Sequence, residues 1–274
     1  MNELVRLSPT GIDYGDYAWN FASGCGNNID GKCKSGGFNC WAYSITQRFQ
    51  GHYPNGFKPT IYPDALLSPL YLKKPSRILC AFMGDLFWDC PEFNPDRIIY
   101  VKTDTGFIDH DTLKAWVFNA IKYSPQHTFL FLTKQPQNLI KFSPFPDNCW
   151  VGVTVTDTPS FIKAHKYLLP PLKATVKFLS FEPLIDRITY PIKTKSRPDG
   201  YPIDIPLNEC CDWVIIGSQT KPYKPPKWEW VSEIIDACVK ANIPYFLKNN
   251  LESIVPKVFG GDGNLIQESL NARR

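Results

Sequence analysis

Methionine and histidine are scarce in this chain, with two and four among its 274 residues. Nothing in so small a histidine set pairs convincingly with a nucleophile, so a metal-independent hydrolase has no visible machinery. The opening residues Met1-Asn2-Glu3-Leu4-Val5-Arg6 lack the apolar core of a secretory leader. No uninterrupted apolar run is long enough to cross a bilayer. The expectation is a cytoplasmic protein with no membrane partner. Internal repeats, heptads and low-complexity tracts are absent as well. Charge of one sign does not dominate: 30 Lys and Arg against 26 Asp and Glu leave +4. That balance is compatible with an anionic substrate without demanding one.

Cysteine and proline are plentiful, at nine and 25. An odd number of cysteines suits a disulfide framework poorly. In a reducing setting, clustered cysteines point instead to metal or redox chemistry. The prolines indicate many tight, rigid loops.

Short apolar runs recur along the chain at 78–83, 128–133, 150–155, 176–181, 212–217 and 244–248, and an earlier one at 17–23 leads into Cys25. Most are continuously apolar and rich in β-branched or aromatic residues, as strands buried on both faces are. Helical patterns fall between several of them. Asp111 opens one that runs to Lys122, with Leu113, Trp116, Val117 and Ala120 on one face. Others cover 160–169 and 228–240, the last striped by Val231, Ile234, Ile235 and Cys238. Strand–helix alternation implies a parallel sheet with right-handed crossovers. About six or seven such units predict an α/β fold, a complete or partial parallel βα barrel, as one domain over 1–274. Residues 187–211 read as a surface insertion and 260–274 as a peripheral tail.

In a parallel βα fold, chemistry collects at the carboxyl ends of the strands. Here those ends carry Gly24 and Cys25, Gly84 and Asp85, Thr133 and Lys134, Thr156 and Asp157, Ser180 and Glu182, Gly217 to Gln219, and Lys248 with Asn249 and Asn250. Loops are polar anyway, but repetition at every strand favours a common pocket. Cys25, Cys33 and Cys40 sit in a Gly- and Asn-rich loop, separated by seven and six residues. Such a loop can bring three thiolates to one centre, with Lys32 and Lys34 favouring the charged form. Three cysteines on a 4Fe-4S cluster leave one iron open for a chelating cofactor. The competing readings are a structural zinc site that recruits His52 and three unligated thiols. Lys134 and Lys248 suit a carboxylate or phosphate, or simply cap the rim. After one strand end, Lys221, Lys224 and Lys227 alternate with Tyr223 and Trp228, a pattern suited to a phosphate backbone with a stacked base or to a plain solvated loop.

Ordered motifs then run through nearly the whole chain: Thr10-Gly11-Ile12-Asp13-Tyr14, Trp19-Asn20, Gly24-Cys25, Asn39-Cys40-Trp41-Ala42 and Met83-Gly84-Asp85-Leu86-Phe87. Leu132-Thr133-Lys134, the run 150–155, Ser180-Phe181-Glu182-Pro183-Leu184, the run 212–217 and Phe246-Leu247-Lys248 follow. In these the chain resembles a family of phage-associated and prokaryotic three-cysteine-motif proteins similar to divergent radical S-adenosylmethionine enzymes. Its cysteine spacing departs from the usual Cys-x3-Cys-x2-Cys. The resemblance implies a radical-enzyme-like barrel with a 4Fe-4S cluster on Cys25, Cys33 and Cys40. It implies S-adenosylmethionine as cofactor, cleaved reductively to a 5′-deoxyadenosyl radical with an external electron donor. Gly84 and Asp85 would hold the cofactor's amino group, Glu182 a ribose hydroxyl, and Thr156, Ser180, Gly217 and Ser218 would assist. The phage association points to a nucleic acid or nucleotide substrate. The rival is a non-catalytic, zinc-stabilised βα module that binds nucleic acid.

Overall fold

A computed structural model describes residues 5–88, 99–101, 107–108, 110–189, 207–256 and 266–267. Cys90, most of the expected insertion at 187–211 (with Lys193, Lys195 and Arg197) and most of the tail at 260–274 lie outside the described residues. By internal contacts the chain divides into two compact units, Met1–Gly152 with Pro171–Thr175, and Val153–Pro170 with Val176–Arg274.

The first unit opens with β1 (Leu7–Pro9) antiparallel to β2 (Tyr17–Trp19). The expected strand at 17–23 is broken: β3 (Ala22–Ser23) leaves for a different sheet. Asn20 marks the break, its Oδ1 accepting from the Met83 N–H at 3.2 Å. The hairpin β4 (Asn28–Ile29) and β5 (Lys32–Cys33) precedes α1 (Trp41–Arg48). Then come β6 (Thr60–Ile61), α2 (Ser68–Tyr71) and β7 (Arg77–Cys80). Ala81 takes φ +57°, which ends β7 early and turns Met83-Gly84-Asp85 into loop rather than strand. β8 (Ile99–Val101) and β9 (Phe107–Ile108) complete a four-stranded sheet with β3 and β6. α3 (His110–Lys122) buries Leu113, Val117, Ala120 and Ile121, an i, i+4, i+7, i+8 stripe, while Trp116 faces solvent rather than the core. β10 (Thr128–Thr133), α4 (Leu139–Phe142) and β11 (Cys149–Thr154) follow, β10 parallel to β7.

The second unit begins within β11. Its α5 (Thr158–Leu168) starts on a reciprocal cap: Asp157 Oδ1 accepts from the Ser160 N–H at 2.9 Å, and Ser160 Oγ accepts from the Asp157 N–H at 3.0 Å. β12 (Val176–Phe181), α6 (Leu207–Cys210) and β13 (Trp213–Ile216) come next, then the hairpin of β14 (Gln219–Thr220) and β15 (Tyr223–Lys224). α7 (Trp228–Ala241) buries the expected stripe Val231, Ile234, Ile235 and Cys238 and ends at Asn242 in the left-handed region. β16 (Tyr245–Leu247) closes the series.

The largest sheet has eight mostly parallel strands in the order β1-β2-β7-β10-β11-β12-β13-β16. The order is linear, so among the described residues this is an open α/β sheet and not a closed barrel. All of β11 and β13 is buried, which explains why neither carries a charged residue. Among the described residues no helix is long and apolar enough to cross a membrane.

His127 lies 1% exposed in the first unit, its Nε2 2.9 Å from the Leu72 carbonyl and its Nδ1 without a partner among the described residues. Burial holds the ring below the usual histidine range. The unfolded chain therefore takes up the proton first, so stability is full above about pH 6.5 and falls as the pH drops toward the folded-state value. Urea midpoints across pH 7.5 to 5 should decline for the native chain and decline less for His127→Gln.

Candidate functional site

The three-cysteine loop lies wholly in the first unit. Cys25 follows β3, Cys33 ends β5 and Cys40 is the N-cap of α1. The hairpin between the first two turns at Asp30 (φ +48°) and Gly31 (φ +82°), the double positive φ of a type I′ turn. This folds the loop back, and Cys40 N–H donates to the Gly31 carbonyl at 2.8 Å. Cys33 is buried, while Cys25 and Cys40 are half-buried.

Gly24 and Gly84 fix where the loop starts. They form a parallel bridge, with Gly24 N–H on the Met83 carbonyl at 3.0 Å. A Cβ on Gly84 would stand 2.3 Å from the Gly24 carbonyl oxygen, a contact no side chain can make. Asp85, the next residue, is thereby set close to Cys25. Its Oδ1 accepts from Thr133 Oγ1 at 2.7 Å and the Phe87 N–H at 3.1 Å, and its Oδ2 from the Lys134 N–H at 2.9 Å. A carboxylate offers about four acceptor positions, so about one remains for a ligand. Burial raises the Asp85 carboxyl above its ordinary range, and the three bonds pull the other way.

Asn27 lies between two of the sulfurs. Its backbone N–H donates to Cys25 Sγ at 3.2 Å, and its Nδ2 lies 3.9 Å from Cys33 Sγ and 2.9 Å from Ser35 Oγ. Lys134 extends its ammonium over the Phe38 ring at 5.8 Å and acts electrostatically on Cys25 and Cys33. Burial pushes both thiols up, and the Asp85 carboxylate adds to this at Cys25. Lys134 and the local N–H donors oppose the shift. As a donor set, three thiols, two of them with N–H groups directed at sulfur, fit a thiolate-held cluster. As they stand, no three His, Cys, Asp or Glu side chains among the described residues enclose an ion. A shallow cleft runs along Gly24, Thr60, Asp85 and Trp88, and the Trp88 indole lies where any side chain at position 26 would be.

The second unit has its own polar rim. β12, β13 and β16 are parallel, with Phe181, Ile216 and Leu247 in register. The next residues, Glu182, Gly217 and Lys248, therefore stand side by side. Glu182 and Lys248 are two strands apart, roughly 9.6 Å, and their side chains meet as an ion pair over the glycine between them. A Cβ on Gly217 would lie 2.9 Å from Lys248 Cδ and 3.3 Å from Glu182 Cγ. Ser218 is clamped by Asn250: its N–H donates to Asn250 Oδ1 at 3.0 Å and its Oγ to the Asn250 carbonyl at 2.9 Å. The Thr156 and Ser180 hydroxyls are fully buried and without a partner among the described residues. Lys221, Lys224 and Lys227 are exposed around the β14–β15 hairpin, where Tyr223 OH is anchored to the Asn250 carbonyl at 3.0 Å and Ser253 Oγ at 2.6 Å.

The structure thus gathers Cys25, Cys33, Cys40, Gly84, Asp85 and Lys134 in one neighbourhood, and Glu182, Gly217 and Lys248 in another. Thr133 and Asn250, strand-end residues in the sequence, enter these sites as partners of Asp85 and Ser218, and Asn27 joins although the sequence did not single it out. The signal for Asn27 was the Asp30-Gly31 turn dipeptide, which places it at a hairpin base.

In a double-mutant cycle of Glu182→Gln and Lys248→Met, denaturant midpoints should give a coupling of about 1–2 kcal/mol. The same cycle on a Gly217→Val background should give little, because the branched side chain fills the space in which the pair meets.

No curated protein and no solved structure matches the chain. Residues 9–255 match the model of a protein family of unknown function, DUF5131. That span covers nine-tenths of the sequence, and the chain belongs to the DUF5131 family.

Proposed function

We propose that the chain is an iron–sulfur enzyme of the radical S-adenosylmethionine type, built on a partial βα barrel, with Cys25, Cys33 and Cys40 as the protein ligands of a 4Fe-4S cluster. The observation that carries this reading is a single loop, at the carboxyl end of the sheet strands, that presents three thiols with Asn27 donating toward two of them. When bound, such a cluster keeps one iron for the cofactor and supplies an electron, drawn from an external donor, for its reductive cleavage.

The chain's own residues position and screen. Lys134 places positive charge beside the thiolates, which a cluster of net negative charge favours. Asp85 retains an acceptor position for an ammonium such as that of the cofactor's methionine. In the second unit, the part-exposed Glu182 carboxylate is a group of the kind a ribose hydroxyl takes, and Thr156, Ser180, Gly217 and Ser218 assist it in the proposed reading, the Thr156 and Ser180 hydroxyls from beneath the surface. Lys248 holds Glu182 in place.

Protein purified without air should be brown and carry about four iron and four sulfide per chain. Cys25→Ala, Cys33→Ala and Cys40→Ala should each lose that content, and Cys238→Ala, buried in α7, should keep it. Calorimetry on the loaded protein should detect S-adenosylmethionine. A colourless protein containing zinc would overturn the reading in favour of a zinc-stabilised, non-catalytic nucleic-acid-binding module.

The substrate proposed is a nucleic acid or nucleotide, on the strength of the exposed lysines around Tyr223. Affinity for single-stranded DNA or RNA should fall steeply with salt. Replacing Lys221, Lys224 and Lys227 with Gln should flatten that slope by roughly two to three contacts. No binding at low salt would remove nucleic acid from the proposal.

A further inference from the structure

Asn27 directs donors at two of the candidate ligands at once, and it is 8% exposed. Its donors are divided between them. The backbone N–H points at Cys25 Sγ (3.2 Å) and the side-chain amide toward Cys33 Sγ (3.9 Å). The amide has two hydrogens, and Ser35 Oγ, at 2.9 Å, takes the other and fixes the plane of the group. The Asn27 carbonyl accepts from the Lys34 N–H at 2.8 Å, which ties the residue to the strand that carries Cys33. Two cysteines eight residues apart are thus referred to a single asparagine.

From this geometry we propose that Asn27 is a positioning residue that sets the reduction potential of the metal centre on this loop, through the N–H groups it directs at Cys25 and Cys33. The inference rests on the iron–sulfur reading above. Hydrogen bonds to ligand sulfur stabilise the more negatively charged, reduced state, and so raise the potential. The side-chain contribution is separable from the backbone one. Substitution at position 27 removes the donor on Cys33 and leaves the N–H on Cys25 in place. A carboxylate in the same shape reverses the sign of the local charge as well.

The test is a redox titration of the loaded protein, followed by electron paramagnetic resonance, on the unaltered chain, Asn27→Ala, Asn27→Asp and Ser35→Ala, with iron content and thermal melting measured alongside. Asn27→Ala should keep its iron and shift the one-electron equilibrium about tenfold toward the oxidised form, about 59 mV lower. Asn27→Asp should move it further in the same direction. Ser35→Ala, which frees the amide without deleting it, should shift it less than either. A potential unchanged in both Asn27 variants overturns the inference while leaving the cluster reading intact. Loss of iron from both variants at unchanged melting temperature also overturns it, because Asn27 would then be required for assembly rather than tuning. Absence of iron from the unaltered protein overturns the cluster reading, and this inference with it.

Discussion

Backbone meets backbone at Gly24 and Gly84, and the arrangement of the first unit's site follows from that contact. The bridge leaves no volume for a side chain on Gly84, so the cysteine loop departs from a position set by the end of β7. The next residue on that side is Asp85, whose carboxylate collects Thr133 Oγ1, the Lys134 N–H and the Phe87 N–H. One contact thus joins the ends of β3, β7 and β10. A side chain at Gly84 would push the start of the cysteine loop away from the end of β7, and one at Gly24, where φ is +86°, would stand 2.3 Å from the Lys58 carbonyl oxygen.

Gly217 has the same role in the second unit, by a different route. There the register of three parallel strands delivers Glu182, Gly217 and Lys248 to one line, and the missing side chain lets two long ones meet across it. The pair is part-buried, with side-chain exposures of 12% for Lys248 and 21% for Glu182, so it is worth more than a surface ion pair and also costs more to desolvate. Ser218 and Asn250 then lock the β13 and β16 ends together on the far side of the glycine.

Much of this was legible in the residues. The runs at 128–133 and 176–181 are β10 and β12 to the residue, because strands buried on both faces have continuous apolar sequences with sharp polar ends. The stripe of α7 was equally clear. Periodicity could not reveal where the chain bends. Tyr17 to Ser23 looks like one strand, and the break at Asn20 depends on a hydrogen bond to Met83, sixty-three residues away. Trp116 has the spacing of the α3 stripe but faces solvent, since Ile121 supplies the fourth buried contact. Closure of the sheet is likewise a property of pairing between its end strands, about which composition is silent. At the site, residue types were legible and partners were not. Asp85 stands out as a strand-end carboxylate, but only the fold shows three donors already on it.

The electrostatics of the cysteine loop also bear on which chemistry suits it. A cysteine that attacks a substrate needs a populated thiolate, a lowered pKa and access. Cys25 has the reverse: burial raises its thiol far above the ordinary range, and the neighbouring Asp85 carboxylate raises it further. Cys33 is buried and shifted the same way. The donors that oppose the shift, Asn27 and Lys134, are too few to reverse it. Burial thus leaves Cys25 and Cys33 poorly suited to nucleophilic catalysis at neutral pH. A metal changes that balance, because its charge displaces the thiol protons on binding, and the N–H groups and Lys134 then meet sulfurs that carry negative charge. Groups that do little for a thiol would then be favourable partners for a metal thiolate, which is the sense in which these electrostatics suit the proposed cluster better than a nucleophile.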